Sequence, residues 1–255
     1  MDNITLFVSN EDEIASCQKF VELLKLPYEV EVTLCANEIT SGLFYKEPES
    51  ISYLSQSGDS IAFDFVKLWN YHSKKNYTLK KEPLAKAIGR TKEPCPKIID
   101  ATCGSGKDSL LMLSFGAKII AYERVPTIHL LLQTALHLAY KADGPLSMVL
   151  KERFELRYGE FQIGDVESSE YGLYYDPMYP SEPKKRKAKP RKEMVIFHEI
   201  MEGDQDVDDK IDGFLNSEFK RVILKRPIKE KKIKNPSMDF AGKSTRYDVY
   251  LTGKK

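Results

Sequence analysis

Cysteine is scarce in this chain of 255 residues, and none of the four cysteines is part of a C-x-x-C pair. The four histidines are scattered as well. The sequence therefore lacks both the ligand spacing of a zinc site and the disulfide framework of a small secreted domain. We expect reduced thiols and no metal cofactor.

Long apolar runs are missing too. No stretch approaches the roughly 18 consecutive apolar residues of a membrane-spanning helix. The N-terminal Met1-Asp-Asn-Ile lacks the basic and apolar regions of a signal peptide. Apolar residues make up 42% of the chain, which is enough for a buried core. These features predict a globular, cytoplasmic protein with no membrane partner.

An excess of charge of one sign is also absent, because 39 Lys and Arg residues balance 38 Asp and Glu residues. This balance alone argues against a polyanionic partner. The cations are nevertheless clustered, most densely between residues 184 and 192, where seven of nine residues are Lys or Arg. Such a run is usually a solvated surface; a nuclear-import signal and a phosphate-binding loop are the alternatives.

The most informative local pattern lies between residues 97 and 108, where Lys-Ile-Ile-Asp precedes Ala-Thr-Cys-Gly-Ser-Gly-Lys-Asp. Two isoleucines indicate a buried strand, and the apolar residues after the glycines indicate a helix. Gly104 and Gly106 allow the backbone to turn sharply and to approach a ligand closely. Asp100 would end the strand in the same crevice. A turn between two core elements is the alternative.

A second strand is predicted at residues 117–123, and it ends in Glu123, seventeen residues after Gly106. An acid at this place in a β-α-β unit can accept hydrogen bonds from both ribose hydroxyls of a nucleoside. Ser109 occupies the position where a dinucleotide fingerprint has its third glycine. NAD is therefore possible, but S-adenosylmethionine fits better.

A strand predicted at residues 171–175 leads into Asp176-Pro-Met-Tyr-Pro180. Asp176, the Pro177 carbonyl and the Tyr179 ring would surround one point at the switch point of a doubly wound sheet. Together they could bind a planar base that carries an amino group, although Asp-Pro is also common in plain turns. The basic run follows at once, and this position favours the phosphate-binding interpretation.

Residues 1–75 are predicted to form a small α+β domain. Its elements are strands at 4–8, 28–35, 42–45 and 60–66 and a helix at 11–26. At its end, Trp69, Tyr71 and His72 alternate with lysines at 74, 75, 80 and 81. A solvated linker is the favoured interpretation of this segment, and a nucleic-acid surface is the alternative.

Residues 76–255 are predicted to form the main domain. Strands and helices alternate after the glycine turn, and a fifth strand at 220–224 and a final strand at 246–251 follow. This order predicts an α/β sheet of about seven strands with an antiparallel edge.

Several motifs together resemble the small-subunit ribosomal RNA methyltransferase J family. The similar stretches are residues 100–108, 123–126, 175–180, 225–227 and 246–250. Their order and spacing make the resemblance specific, and it covers residues 60 to 252. It implies a class I S-adenosylmethionine-dependent methyltransferase with a Rossmann-like sheet and a small N-terminal α+β appendage. The implied reaction is methylation of guanine N2 in small-subunit (16S) ribosomal RNA or the 30S subunit, with S-adenosylhomocysteine as the product.

The local patterns and the resemblance together assign roles to particular residues; the resemblance implies those of Lys107, Asp108, Glu123, Arg124, Glu160, Phe161 and Asp176 as cofactor contacts. Cofactor contacts are expected at Asp100, Gly104, Gly106, Lys107, Asp108, Glu123, Arg124, Glu160, Phe161 and Asp176. The family has a pair of serines where this chain has Glu160-Phe161, and often an arginine at the position of Lys107. Catalysis is assigned to Asp176, Pro177 and Tyr179. RNA contacts are assigned to Lys184, Lys185, Arg186, Lys187, Lys225 and Arg226.

Two other functions remain open from the residues alone. A nicotinamide-dependent oxidoreductase could use the same β-α-β unit and Glu123, although no acid or base for the hydride side is evident. A non-catalytic RNA-binding protein would account for the basic stretches but leaves the motif at Asp176 unexplained.

Overall fold

The computed structural model describes residues 3–35, 39–46, 48–177, 192–201 and 207–252, with the backbone alone at 207–209. They form two compact units. The first comprises the described residues of Met1–Phe65, Val125–Gly144 and Ser181–Gly203; the second comprises those of Val66–Arg124, Pro145–Pro180 and Asp204–Lys255. The predicted division into residues 1–75 and 76–255 stays a prediction. None of the described helices is both long and apolar enough to cross a membrane.

The first unit contains a five-stranded sheet. Its strands are β1 (Asn3–Val8), β2 (Glu29–Leu34), β3 (Gly42–Lys46), β4 (Ser50–Leu54) and β5 (Ser60–Ile61), in the order β2-β1-β3-β4-β5. β1 pairs in parallel with β2 and β3, and the other neighbours are antiparallel. Alternation along β1 buries Ile4, Leu6 and Val8.

Helices complete the core of the first unit. α1 (Asp12–Leu24) buries Cys17, Phe20 and Leu24, whose spacing places them on one helical face. Lys25 then ends the helix in a left-handed conformation. Leu130 and Leu131 of a long helix, Pro126–Lys141, lie in the same hydrophobic cluster as the β1 residues.

The predicted strand at 60–66 is wrong beyond Ile61, because α2 (Phe65–Ser73) is helical. Its residues Phe65, Leu68, Trp69 and His72 recur at helical spacing, and this period prevails over the shorter alternation before it.

The second unit contains a seven-stranded sheet, which confirms the predicted α/β class. Its strands are β6 (Lys97–Asp100), β7 (Lys118–Glu123), β8 (Phe154–Tyr158), β9 (Gly172–Tyr175), β10 (Arg221–Pro227), β11 (Met238–Ala241) and β12 (Thr245–Tyr250). The order is β11-β12-β10-β9-β6-β7-β8. β6 to β10 are parallel, and β12 is antiparallel to both β10 and β11.

One of the remaining helices precedes β6 in sequence, and the others lie between the later strands. They are α3 (Pro83–Ala87), α4 (Lys107–Ser114), α5 (Pro126–Lys141), α6 (Pro145–Arg153), α7 (Lys192–Ile200) and α8 (Val207–Leu215), with a 3-10 turn at Ser168–Glu170. α5 and α7 belong to the first unit and the others to the second.

The strand order creates a switch point between β6 and β9. From β6 the chain continues to β7 and β8 on one side of the sheet, and then β9 and β10 add to the other side. Residues Asp100 and Tyr174 are neighbours in the β6–β9 register. The carboxyl ends of these two strands therefore border the crevice where ligands bind in doubly wound sheets.

Candidate active site

The turn after β6 depends on two glycines. Gly104 has φ 56° and Gly106 has φ 73°, a left-handed conformation that side chains with a Cβ rarely adopt. The Cys103 N–H donates to the Tyr122 carbonyl at 2.9 Å, and the Gly106 N–H donates to the Cys103 carbonyl at 2.9 Å. The turn is thus attached to β7 and leads directly into α4.

Asp100 ends β6 and is almost completely buried. Ser109 Oγ donates to its Oδ2 at 2.6 Å, and the Thr102 N–H donates to its Oδ1 at 3.2 Å. Burial raises the pKa of Asp100 to about 7; the two hydrogen bonds oppose the rise, and the charges of Asp108 and Asp176 add to it. This carboxyl group therefore titrates near neutral pH.

Glu123 ends β7 and is 4% exposed. The Gly104 N–H donates to its Oε2 at 2.9 Å, so the carboxylate lies against the glycine turn. The Gly159 N–H donates to the Glu123 carbonyl at 2.9 Å. These bonds connect the end of β7 to the turn on one side and to the loop after β8 on the other. An acid in this position can bind the ribose of a nucleoside ligand.

Asp176 follows β9 directly. Its N–H donates to Thr102 Oγ1 at 2.7 Å, which connects the end of β9 to the loop after β6. Its carboxylate Oδ2 accepts a hydrogen bond from Lys225 Nζ at 2.9 Å. The Asp176 side chain is 36% exposed, so a ligand in the crevice can reach it.

Lys225 lies on β10 and connects two acids. Its Nζ donates to Asp108 Oδ2 at 2.6 Å as well as to Asp176 Oδ2. We call these three residues the acid–lysine cluster. Burial lowers the pKa of Lys225, but the charges of Asp176 and Asp108 outweigh burial and raise that pKa well above its ordinary value. The ammonium therefore stays charged and holds both carboxylates.

Two tyrosines border the acid–lysine cluster. Tyr174 Oη donates to Asp108 Oδ2 at 2.5 Å, and burial, followed by the charges of Asp108 and Asp176, raises the pKa of Tyr174 well above its usual range. Burial and the charge of Asp108 raise the pKa of Tyr247 to about 12. Both phenols therefore stay protonated, and Tyr174 acts as a hydrogen-bond donor.

The structure brings most of the predicted cofactor residues to one end of the sheet. They are Asp100, Gly104, Gly106, Asp108, Glu123 and Asp176. Lys107 is exposed at the first position of α4. Arg124 and Glu160 form an ion pair at 3.9 Å, and Lys210 also donates to Glu160. Their contacts with a cofactor stay predictions.

The other predicted residues have different surroundings. The Phe161 side chain is buried in the hydrophobic cluster of the second unit, with its ring 5.1 Å from that of Tyr122. Pro177 is buried beside Asp176. Lys225 contacts acids, and the mostly buried Arg226 donates to the Lys231 carbonyl at 3.4 Å. Their assignment to RNA stays a prediction. Tyr179, Lys184, Lys185, Arg186 and Lys187 lie outside the described residues.

Sequence reasoning missed the roles of Thr102, Ser109 and Tyr174. Thr102 and Ser109 belong to the glycine motif, but nothing local shows that their side chains face Asp176 and Asp100. Tyr174 does have a signal, because side chains two residues apart in an extended chain share a side, which places it with Asp176. Its neighbour Tyr175 lies on the other side, in the hydrophobic cluster.

Comparisons with known proteins agree with this geometry. Residues 32–252 match the family described as putative SAM-dependent methyltransferase. The ribosomal RNA small subunit methyltransferase J of Bdellovibrio bacteriovorus is 32% identical over 211 residues, which cover 82% of this chain and 81% of that protein. The protein of the same name from Pseudoalteromonas translucida is 33% identical over 196 residues, which cover 75% and 77%.

A solved structure has a similar fold. The SAM-dependent methyltransferase from Neisseria gonorrhoeae has a TM-score of 0.70 and 23% sequence identity, with 97% of this chain and 96% of that chain covered. This similarity confirms the predicted class I, Rossmann-like fold.

Proposed function

This chain belongs to the S-adenosylmethionine-dependent methyltransferase family that includes ribosomal RNA small subunit methyltransferase J, and we propose that it methylates N2 of a guanine in small-subunit (16S) ribosomal RNA. The methyl donor is S-adenosylmethionine and the product is S-adenosylhomocysteine. The observation that carries the proposal is the Asp176 carboxylate, which Lys225 holds at the switch point of the sheet. An oxidoreductase is not proposed, because the family and its relatives are methyltransferases.

The residues of the second unit fit the cofactor. Gly104 and Gly106 have the left-handed backbone that allows close approach of a ligand. Glu123 lies against the same turn and would bind the ribose. In the acid–lysine cluster two carboxylates outnumber one ammonium, which favours a cationic ligand. When bound, S-adenosylmethionine supplies an electrophilic methyl group on a positively charged sulfur.

Asp176 would orient the target amine. The lone pair of an exocyclic guanine nitrogen is delocalised into the ring, so the nitrogen is a weak nucleophile. Hydrogen bonds from its N–H groups to the Asp176 carboxylate and the Pro177 carbonyl favour a pyramidal nitrogen with an available lone pair. Tyr179 would stack on the base, which contributes about 1–3 kcal/mol. The reaction then needs alignment more than prior removal of a proton: the N–CH3 bond forms as the S–CH3 bond breaks, and the surplus proton of the methylated nitrogen leaves afterwards.

Lys225 would fix the direction of the Asp176 carboxylate. The bond to Lys225 Nζ and the backbone bond to Thr102 restrain Asp176 from two sides. A restrained acceptor loses little freedom when the amine arrives, and this preorganisation is what lowers a barrier. We therefore assign Lys225 to positioning of Asp176 in preference to phosphate contact.

The substrate must present an accessible base. A guanine in a helix has its amino group in a groove and its ring stacked, so it has to be unpaired or flipped before it can enter the crevice. Residues 184–187 would contact phosphates beside the target, in free ribosomal RNA or in the 30S subunit. Such a protein would act in the cytoplasm.

Labelled S-adenosylmethionine tests the proposal directly. The protein is incubated with 16S ribosomal RNA and with 30S subunits from cells that lack the gene, and the labelled nucleoside is mapped. We expect N2-methylguanine at one position, and label that appears about 10²–10³-fold more slowly with Asp176→Ala protein prepared in the same way. Label on another atom, or no transfer to either substrate, would overturn the proposal. Thermal shifts should show stabilisation by S-adenosylhomocysteine and none by NAD.

A further inference from the structure

Residues 66–92, which we call the cationic segment, carry an unusual excess of positive charge. The segment contains eight Lys or Arg residues and one acid, Glu82, in a chain whose formal net charge is only +1. It belongs entirely to the second unit, the unit that contains the acid–lysine cluster. The excess charge therefore lies in the same unit as the proposed active site.

Four lysines of this segment form a cluster without acidic partners in the part of the chain that the structure describes. Lys74, Lys75, Lys80 and Lys81 are exposed, and within the described residues none of them lies within 4.0 Å of a carboxylate. Several surface lysines elsewhere are paired: Lys97 lies 2.6 Å from Glu170, and Lys232 lies 2.5 Å from Asp239. Clustered like charges repel one another, and a bound polyanion relieves that repulsion.

The backbone that carries these lysines is held by hydrogen bonds. The Lys75 N–H donates to the His72 carbonyl at 3.0 Å, and the Lys81 N–H donates to the Thr78 carbonyl at 2.7 Å. His72 Nδ1 and Tyr77 Oη lie 2.7 Å apart and close the loop between them. A surface ordered before binding loses less entropy when a ligand binds.

An exposed aromatic ring lies among the lysines. Tyr71 is 53% exposed, and Lys75 Nζ lies 4.2 Å from the centre of its ring. Exposed rings combined with cations are typical of surfaces that bind single-stranded nucleic acid, because bases stack on the rings while phosphates meet the cations.

The cationic segment packs against α4, the helix whose first turn carries Asp108 of the acid–lysine cluster. The Tyr77 ring meets Phe115, at the end of α4 away from the crevice, with ring centres 5.3 Å apart. Asp108, at the start of α4, is near enough to influence His72: burial and Lys75 lower the pKa of His72, and Asp108 opposes them. Asp108 is itself bonded to Lys225 of the acid–lysine cluster. An RNA strand whose base enters the crevice at the start of α4 would place its flanking phosphates on this segment by following that helix.

We propose that the cationic segment is a second RNA-binding surface, where Lys74, Lys75, Lys80 and Lys81 contact phosphates of the substrate and Tyr71 stacks on a base. The inference rests on the proposed function, because it extends the same crevice to the RNA that flanks the target guanine.

The test compares two fourfold variants with equal loss of charge. The test variant replaces Lys74, Lys75, Lys80 and Lys81 with glutamine. The control variant replaces Lys97, Lys118, Lys151 and Lys220, which lie at or just before the amino ends of β6, β7, β8 and β10 and so at the edge of the sheet opposite the crevice. Circular dichroism confirms that both variants fold, and fluorescence anisotropy with a labelled single-stranded segment of 16S ribosomal RNA measures binding across a salt series.

We expect the test variant to bind more weakly, and the slope of log K against log salt to fall by about 0.7 for each lysine that contacts a phosphate. The control variant should keep the wild-type slope. Affinity for S-adenosylhomocysteine, measured by calorimetry, should be unchanged in both. Tyr71→Ala should weaken binding without changing the slope.

Equal slopes for the test variant, the control variant and the wild type would overturn the inference. Binding to vesicles of anionic lipid is measured in the same way. A test variant that binds RNA as the wild type does and loses binding only to these vesicles would also overturn the inference. Failure of the proposed function would give a different result: the wild-type protein itself would transfer no methyl group to small-subunit ribosomal RNA.

Discussion

Lys225 Nζ and Asp176 Oδ2 lie 2.9 Å apart at the switch point of the seven-stranded sheet. The two residues come from neighbouring parallel strands. Leu224 pairs with Tyr175 in the register of these strands, so the next residues, Lys225 and Asp176, lie beside each other. Lys225 also holds Asp108 at the first turn of α4, so one ammonium connects the two sides of the crevice. The proposed orientation of the target amine by Asp176 depends on this arrangement.

Lys225→Met should slow methyl transfer about 10- to 100-fold, because Asp176 loses the group that orients it. Removal of an adjacent ammonium also raises the pKa of a carboxylate, so the acid limb of the rate profile should move to higher pH. Lys225→Arg keeps the charge and should restore part of the rate. Single-turnover rates measured from pH 5 to 9 with saturating cofactor and RNA provide the data.

The matched control for Lys225 is Lys97→Met, which removes a more exposed ion pair with Glu170. It should leave both the rate and the pH profile unchanged. A Lys225→Met protein with a lower melting temperature but a wild-type pH profile would show that Lys225 only stabilises the fold.

Gly106→Val and Glu123→Ala should weaken binding of S-adenosylhomocysteine. Valine is strained at φ 73° and would fill the space next to the proposed ligand, whereas alanine would remove the proposed ribose acceptor. The loss of a charge-assisted hydrogen bond should cost roughly 1.5–3 kcal/mol in calorimetry. Gly58→Val is the control, because Gly58 has φ 79° and a Cβ there meets no atom within 4 Å. Unchanged affinity in folded Gly106→Val and Glu123→Ala proteins would remove the glycine turn from the cofactor site.

Asp100 should make the free energy of unfolding depend on pH. Its pKa rises from 3.8 to about 7 on folding, so the folded protein binds more protons between these values. The contribution of Asp100 to stability is therefore full below about pH 4, declines as the pH rises and is lost above about pH 7. Three pKa units correspond to as much as about 4 kcal/mol.

Asp100→Asn isolates this effect, because the amide does not titrate. The difference in unfolding free energy between Asp100→Asn and wild type, from urea titrations, should increase from pH 4 to 7 and then stay level. The exposed Asp143→Asn is the control. A difference that does not vary with pH would mean that Asp100 titrates alike in the folded and unfolded chains.

Glutamine at Lys184, Lys185, Arg186 and Lys187 should weaken RNA binding and leave cofactor affinity intact. If each side chain contacts one phosphate of a single strand, the salt slope should fall by about 0.7 per residue. The control is the same fourfold variant of Lys97, Lys118, Lys151 and Lys220. Salt slopes that match that control would make the run a solvated surface.

The parts of the site that follow from the sequence are those with a local signal. Gly104, Gly106 and Glu123 could be predicted because a strand, a turn and an acid follow one another at fixed spacing. Asp176 could be predicted because it follows a short apolar run. The bond between Lys225 and Asp108 joins residues 117 positions apart, and it exists only because β9 and β10 add to the far side of β6. No local pattern encodes that neighbourhood.

The same limit explains what was missed in the fold. The strand predicted at 60–66, which is wrong beyond Ile61, rests on the short alternation of Ile61, Phe63 and Phe65. Phe63 instead stacks on Phe197 with ring centres 6.1 Å apart, in a contact that becomes visible only in three dimensions. Assignment of α5 to the first unit likewise depends on which apolar residues Leu130 and Leu131 meet.

Asp176 provides the most direct test of the account. Single-turnover methylation of 16S ribosomal RNA is measured with saturating cofactor for wild type, Asp176→Asn and Asp176→Ala. The Asp176→Ala variant should fold normally and retain most of the RNA affinity. Its rate of methyl transfer should fall about 10²–10³-fold, because one preorganised contact with the transition state is lost. The rate should fall less in the Asp176→Asn variant, because the amide oxygen of asparagine still accepts a hydrogen bond. Transfer by Asp176→Ala at nearly the wild-type rate would contradict the assignment of Asp176 as the acceptor that orients the amine.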